Sequence, residues 1–398
     1  MFIERPRYRL SRTAQQLQRS IMRDLLKHAV DPGMISLAGG LPASDLLPTR
    51  ALDACLHEVL RRDGGTALQY SPQWPLLRQW IADYMRTRDV DCSPEQVFIT
   101  NGNQHGLQIL SRLFVDDDSD VVVTEQAVFT GIKQVTAGRG CRVRTVPTDL
   151  QTGVDIDALE AAFAAPEPPR MAVFIPDFHN PLSVTISREK RQRIAALAAH
   201  YGVPVIEDDA YSALRFEGES LSPIKAYDKH DFVFFLGSFS KMLSPGLRLG
   251  WMVVPESLMP KVTVLRESFD LETSTLIQRS VAEFLYRDEL TSHLTRLNAA
   301  NRERRDALLA ALDANLRGIA TWTEPQGGLF VWVTLPSSVD TWELLPQAID
   351  NKVVYVPGAA FAVDGGLNNT MRLNFSSVPP AQFDEAISRL GQVINSAL

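Results

Sequence analysis

The chain has 398 residues, about two and a half times the size of a usual domain. Hydrophobic residues make up 45% and charged residues 22%, an ordinary globular composition that supports a sizeable core and excludes wholesale disorder. Lys plus Arg number 40 against 47 Asp plus Glu, and the resulting charge of −7 leaves no basic footprint for nucleic acid.

Cys55, Cys92 and Cys141 are odd in number and far apart. They form no CxxC pattern, which fits a reducing compartment. The first sixteen residues carry charges throughout and have no apolar centre, unlike a secretory signal. No apolar run approaches the length of a membrane span. The expectation is a cytoplasmic protein bound neither to membrane nor to nucleic acid.

The spacing of apolar residues predicts a helix over 13–30, stopped at Asp31-Pro32-Gly33. A short extended piece, 35–38, then runs into the turn Gly39-Gly40. Beyond residue 50 apolar runs alternate with amphipathic stretches. Strands are predicted at 97–100, 120–124, 142–146, 171–176, 203–207, 233–236 and 249–254, with helices at 103–115, 128–138, 155–164 and 187–201. That alternation indicates an α/β fold with a mostly parallel sheet covered on both faces. The segment 240–248 is too short for a helical crossover, so one antiparallel edge is expected. Residues 258–316 read as a long helical stretch with a break near 267–275. The remainder reads as α+β: strands at 327–333 and 371–375, and helices at 341–349 and 379–397. The division expected is 1–45 as an N-terminal arm and part of a small domain, 46–290 as a large domain, and 291–398 as the rest of the small one.

The most informative segment, Gly237 to Arg248, leaves a predicted buried strand and gathers hydroxyls, Lys241 and Arg248 in a turn-rich loop. Loops beyond strand ends are where open α/β sheets bind ligands. A lysine so placed suits a Schiff base with a cofactor whose phosphate the serines and the arginine hold. Taken alone, it reads as a solvated loop lysine, and only the residues around it point elsewhere. Upstream, Glu207-Asp208-Asp209-Ala210-Tyr211 puts carboxylates at the end of a buried strand, where a carboxylate is costly unless it meets a cation. A protonated pyridine nitrogen is such a cation. Asn180-Pro181 ends another strand and offers an amide to a phenolate oxygen. Singly, these residues also serve as a helix cap, a turn starter and a core tyrosine.

Together these segments resemble the fold-type I aminotransferases (class I/II) that depend on pyridoxal 5′-phosphate (PLP). The nearest branch holds the α-aminoadipate, kynurenine and aromatic aminotransferases. The resemblance runs through SLAGGLP (36–42), LQYSP (68–72), TNGNQHGL (100–107), Asn180-Pro181, EDDAY (207–211), GSFSKMLSPGLRLGW (237–251), GGLFVW (327–332) and MRLNFS (371–376). It implies that Lys241 carries the cofactor and then shuttles the proton, and that Asp208 pairs with the pyridine nitrogen. Asn180 and Tyr211 would bond the ring oxygen. Ser238, Ser240, Arg248 and the backbone amides of Gly102, Asn103 and Gln104 would hold the phosphate. Phe129 stands where an aromatic ring stacks on the pyridine. Arg372 matches the arginine that grips the substrate α-carboxylate, and Gly39 and Gly40 match the turn that closes over the substrate. Tyr70 resembles a residue that reaches the phosphate in the partner subunit, which implies a homodimer.

The chain departs from that pattern at His179, where Gln is usual. It departs again at Leu182-Ser183 in place of Thr or Ser and then Gly, at Gln73-Trp74-Pro75, and at Asn298 and Asn301. His179 reads either as a second acid/base or as a packed neighbour of the pocket. The departures leave room for β- or γ-elimination, replacement or cyclisation, with S-adenosylmethionine among the substrates considered, as the alternative to transamination. A PLP-binding sensor is the third reading, against which stands the lack of a DNA-binding charge pattern.

Overall fold

In a computed structural model that describes residues 8–16, 21–28 and 31–398, all seven strands predicted between residues 97 and 254 form one sheet. They are β1 (Val97–Thr100), β2 (Val121–Glu125), β3 (Arg142–Val146), β4 (Met171–Phe174), β5 (Val205–Asp209), β6 (Val233–Ser238) and β7 (Gly250–Val253). Their order across the sheet is β1-β7-β6-β5-β4-β2-β3. β1, β2, β4, β5 and β6 are buried along their whole length, as expected of strands covered on both faces.

β7 runs antiparallel to both of its neighbours, β1 and β6. The antiparallel strand is therefore the second in the sheet and not its edge, a correction to the sequence reading. The tight loop after β6 returns β7 beside it, and β1 then adds outside β7. The register aligns Gly250 with both Thr100 and Ser238, and Asp208 with Leu236. The ends of β1, β5 and β6 thus meet at one rim of the sheet.

Helices cover the sheet: α1 (Asn103–Phe114), α2 (Thr130–Arg139), α3 (Arg188–Tyr201) and the short α4 (Phe239–Met242) among them. α1 lies so close to β6 that a Cβ on Gly106 would stand 2.8 Å from Leu236 Cδ2.

The stretch expected to be helical over 258–316 is three helices. The first break falls after Glu267, as anticipated. The second falls at Arg287-Asp288, where Asp288 takes φ 56 before α5 (Glu289–Leu316) begins. A smaller antiparallel sheet follows, of β8 (Thr321–Trp322), β9 (Phe330–Thr334), β10 (Val356–Pro357) and β11 (Thr370–Asn374), ordered β8-β9-β11-β10. The last helix is α6 (Phe383–Asn395). The predicted helix at 13–30 is described at Arg12–Gln16 and Ile21–His28; its other residues lie outside the described ones. Ile35-Ser36 pairs in parallel with Val353-Val354. One apolar core accordingly joins Leu25, Ile35 and Leu37 to Leu312, Val331, Leu373, Leu390 and Ile394. Among the described residues no helix is long and apolar enough to cross a membrane.

Candidate active site

A cavity of about 640 Å³ opens where the rim of the large sheet meets the smaller one. Lys241, Asp208, Tyr211, Asn180, Arg372, Phe129, Ser238, Ser240, Arg248, Asn103, Gln104 and Gly40 all line it. Residues from 40 to 372 in the chain thus converge on one space.

Lys241 sits in α4, the single turn that follows β6. Ser238 caps that turn, its Oγ accepting from Ser240 N at 3.0 Å. Lys241 Nζ donates to Gly40 O at 2.8 Å. Burial, with Arg372 and Arg248 nearby, pulls its ammonium pKa down to about 8. Near neutral pH a usable fraction is therefore the free amine, the nucleophilic and basic form.

Asp208, next to last in β5, is 6% exposed, its Oδ1 accepting from Asn103 Nδ2 at 2.6 Å. Burial pushes its carboxyl up to about 6 against the lowering effect of that hydrogen bond. Among the described residues it forms no ion pair, and Asn103 Oδ1 is buried without a partner. The neighbouring Asp209 is satisfied on the other face of the strand by Arg88 Nη1 at 2.6 Å and by Ser212. One acid of the pair thus has its cation, while the other faces the cavity.

Arg372 projects from the middle of β11 and is fully enclosed. Nη1 donates to Asn180 Oδ1 at 2.7 Å, and Nη2 donates to Ala38 O at 2.9 Å and Gly39 O at 3.3 Å. Its guanidinium lies 4.1 Å over the Phe330 ring and 4.9 Å from that of Phe361. Burial lowers its pKa to about 10, so it stays a cation at neutral pH. Asn180 Nδ2 donates to the buried Tyr211 hydroxyl at 3.1 Å.

The opposite end of the cavity is built for an anion. Gly102 takes φ 88 to turn the chain from β1 into α1, and a Cβ there would stand 3.0 Å from Arg248 Nη2. The backbone amides that open α1 carry the partial positive charge of a helix N-terminus. Arg248 itself adopts φ 50 and donates to Asn101 O at 2.9 Å.

Tyr70, expected to reach the partner subunit's site, lies away from this cavity. It is 79% exposed and borders a separate cavity with Arg266 and Glu272. Gly39 reaches Arg372 through its carbonyl. Sequence reasoning gave no role to Leu41, Gln134, Ile175, Phe330 and Phe361, which also line the cavity. Phe330 stood within the GGLFVW motif and could have been found; Phe361 lies in a loop with no pattern around it.

All of the departures but Asn301, which is buried with neither Nδ2 nor Oδ1 hydrogen-bonded, fall into place locally. Ser183 occupies the position of the usual glycine and does adopt a glycine-like φ of 61, tied by Ser183 Oγ to Phe330 O at 2.6 Å. Leu182 joins the core of the smaller sheet. Gln73 Oε1 accepts from Ile99 N at 2.7 Å, and Trp74 packs under Arg279. Asn298 Nδ2 holds the carbonyls of Ala213 and Arg215. His179 does not line the cavity, so the reading of it as a second acid/base gives way to that of a packed neighbour.

A buried amine of lowered pKa, a buried carboxylate awaiting a cation, an anion cradle and an enclosed arginine define an enzyme that binds a phosphorylated carbonyl cofactor beside a carboxylate substrate. Residues 33–390 match the family of class I and II aminotransferases, and the chain belongs to that family. It is an aminotransferase whose cofactor is PLP. The chain is 35% identical to aromatic-amino-acid aminotransferase 1 of Thermococcus litoralis, over 98% of this chain and 94% of that one. It is 36% identical to 2-aminoadipate transaminase of Thermus thermophilus, over 97% and 96%. The solved structure of the α-aminoadipate aminotransferase LysN, also from Thermus thermophilus and in complex with N-(5′-phosphopyridoxyl)-L-leucine, superimposes with a TM-score of 0.90. That match is 33% identical and covers 98% of this chain and 97% of that one.

Proposed function

We propose that this aminotransferase acts on an α-amino acid with an aromatic or 2-aminoadipate-like side chain, using Lys241 as its proton carrier and Arg372 as its carboxylate anchor. The observation that carries the reading is the enclosure of Lys241, Asp208 and Arg372 around one cavity. The residues present fit PLP, since among the described residues Asp208 forms no ion pair and meets only the Asn103 amide, Asn103 Oδ1 lacks a hydrogen-bond partner, and Gly102 keeps the anion cradle open. When bound, PLP supplies the electron sink that lets the substrate Cα–H bond break heterolytically.

The chain's own residues do the rest. Lys241 Nζ would hold the cofactor through its aldehyde carbon. Once released, it takes the proton from substrate Cα, a task its lowered pKa suits. Asp208, a carboxylate at working pH, keeps the pyridine nitrogen protonated. Asn180 and Tyr211 would hold the ring oxygen, and Phe129 would pack against the ring. Ser238, Ser240, Arg248 and the amides of Gly102, Asn103 and Gln104 hold the phosphate. Arg372 takes the α-carboxylate as a bidentate fork, exchanging the backbone carbonyls of Ala38 and Gly39 for it. Gly40 O would give up Lys241 Nζ earlier, when that amine takes the cofactor.

The reading extends to a cytoplasmic homodimer in which Tyr70, exposed on this subunit, reaches the partner's phosphate site. The three cysteines are unpaired, which supports a reducing compartment. It also divides the chain into a large unit at 46–290 and a small one at 1–45 and 291–398, in keeping with the core shared by both ends.

The test is a half-reaction with purified, PLP-loaded protein and single amino acids. Loss of the visible cofactor band with stoichiometric release of the 2-oxo acid supports transamination. Release of ammonia or of a side-chain fragment would put the enzyme among the eliminating or replacing relatives.

A further inference from the structure

Beneath the site lies a buried hydrogen-bonded pair that no step above uses. His179 Nε2 stands 2.9 Å from Glu125 Oε2, and each side chain is 1% exposed. Both oxygens of Glu125 are engaged, since Thr148 Oγ1 donates to Oε1 at 2.8 Å. Thr148 comes from the strand Thr148-Asp149, Glu125 from the end of β2, and His179 from the loop after β4. A buried carboxylate is costly unless hydrogen-bonded on both oxygens, and here it is.

The other ring nitrogen is engaged as well. Leu182 N donates to His179 Nδ1 at 3.4 Å, which places the ring proton on Nε2, facing Glu125. His179 N donates to Val184 O at 2.8 Å, and Ser183 N to His179 O. The imidazole thus spans the loop 179–184 from within and fastens it to the end of β2. The next residue is Asn180, whose amide faces two ways, to Tyr211 and to Arg372. An amide can serve both only if its backbone is held within a fraction of an ångström.

We propose that Thr148, Glu125 and His179 form a buried strut that sets the position of Asn180, with His179 as a positioning residue for both the cofactor oxygen and the carboxylate anchor. The proposal rests on the role assigned to Asn180 above. His179 has no proton to offer the substrate. Its contribution is reach: a ring donor at the far end of the side chain, at the height of Glu125.

Two amides separate reach from mere polarity. In His179→Gln the Nε2–H group extends to about the same distance and can still meet Glu125. In His179→Asn it is one methylene short and cannot. The experiment compares both with the parent as PLP-loaded enzymes, recording the visible cofactor band, kcat and KM for an aromatic amino acid, and thermal unfolding. His179→Gln is expected to retain most of the parent's rate. His179→Asn is expected to shift the band and lower kcat/KM by about tenfold or more, the range for losing a residue that orients a binding group.

The decisive arm is the same substitution in an Asn180→Ala background. If His179 acts through Asn180, His179→Asn costs little further there. A full additional loss in that background would overturn the proposal, as would a His179→Asn enzyme with the parent's band and kinetics. Should His179→Asn fail to fold, Glu125→Asp shortens the strut from the other end and is read the same way. Failure of the parent to carry out the half-reaction would instead strike the proposed function, so the two failures are distinguishable.

Discussion

Arg372 and Asn180 are joined by a 2.7 Å hydrogen bond from Nη1 to Oδ1, and the same asparagine donates to Tyr211 at 3.1 Å. One amide therefore couples the arginine proposed to grip the substrate to the tyrosine proposed to orient the cofactor. The backbone carbonyls of Ala38 and Gly39 accept from the same arginine, so the N-terminal turn is tied to the same group. A carboxylate entering the site meets a guanidinium already planar, oriented and desolvated.

Arg372→Lys should therefore damage substrate binding and leave the cofactor in place. A lysine keeps the charge but loses the fork. The expected loss in kcat/KM corresponds to roughly 2–4 kcal/mol, the range for truncating one partner of a buried charge pair. The cofactor spectrum should be that of the parent, and carboxylate inhibitors should weaken in parallel. Steady-state kinetics with an amino acid and a matching 2-oxo acid check it.

Asp208→Asn should separate stability from function. In the cofactor-free chain the buried carboxyl titrates near 6 instead of its ordinary 3.8. The folded state therefore favours its protonated form. That advantage is present below about pH 4 and is lost as pH rises through 6. Asparagine can still accept from Asn103, yet never ionises. The cofactor-free variant should thus be more stable than the parent near pH 7, by about 1–3 kcal/mol, and match it near pH 4. The PLP-loaded variant should lose most of its turnover because the pyridine nitrogen has no anion beside it. Urea unfolding at the two pH values, with and without PLP, measures both effects.

Much of this arrangement was legible in the sequence because strand-end motifs are read in order. EDDAY, SFSK and MRLNF each follow or form an apolar run whose burial is plain, and each delivers its side chain to the cavity. The position of β7 was not legible: which neighbour a strand takes depends on long-range pairing, and only the short β6–β7 loop hinted at it. Phe361 was invisible for a related reason. It reaches Arg372 because Val128 N bonds to its carbonyl and Lys133 Nζ bonds to Ala360 O and Ala362 O, contacts between distant segments. Ser183 shows the converse case, a residue of the wrong type for its φ that the fold accepts because its hydroxyl finds Phe330 O.

Gly131→Ala should weaken cofactor binding without touching a cofactor ligand directly. A Cβ there would lie 2.3 Å from Phe129 Cε1 and 2.2 Å from Gln104 Oε1, so the ring and the amide must both move. The stacked face and the opening of α1 would shift together. An increase of about tenfold in the PLP dissociation constant is expected, the consequence of losing about 1.4 kcal/mol of complementary contact. Fluorescence titration of the cofactor-free protein with PLP reads it, and an unchanged constant would show that the Phe129 ring does not bear on the cofactor.

The rate at which PLP attaches to cofactor-free protein should rise with pH. Lys241 titrates near 8, and only its neutral amine is nucleophilic, so the rate climbs through that pH and levels above it. A lysine with the ordinary value of 10.5 would still be climbing at about pH 10. Stopped-flow absorbance over that range distinguishes the two.

The most direct test of the account is where the cofactor becomes attached. Reduction of the PLP-loaded enzyme with borohydride, followed by proteolysis and mass spectrometry, should place a single phosphopyridoxyl group on the peptide containing Lys241, and Lys241→Ala should give none. A reduced adduct on any other lysine, such as the half-buried Lys133, would contradict the site built around α4.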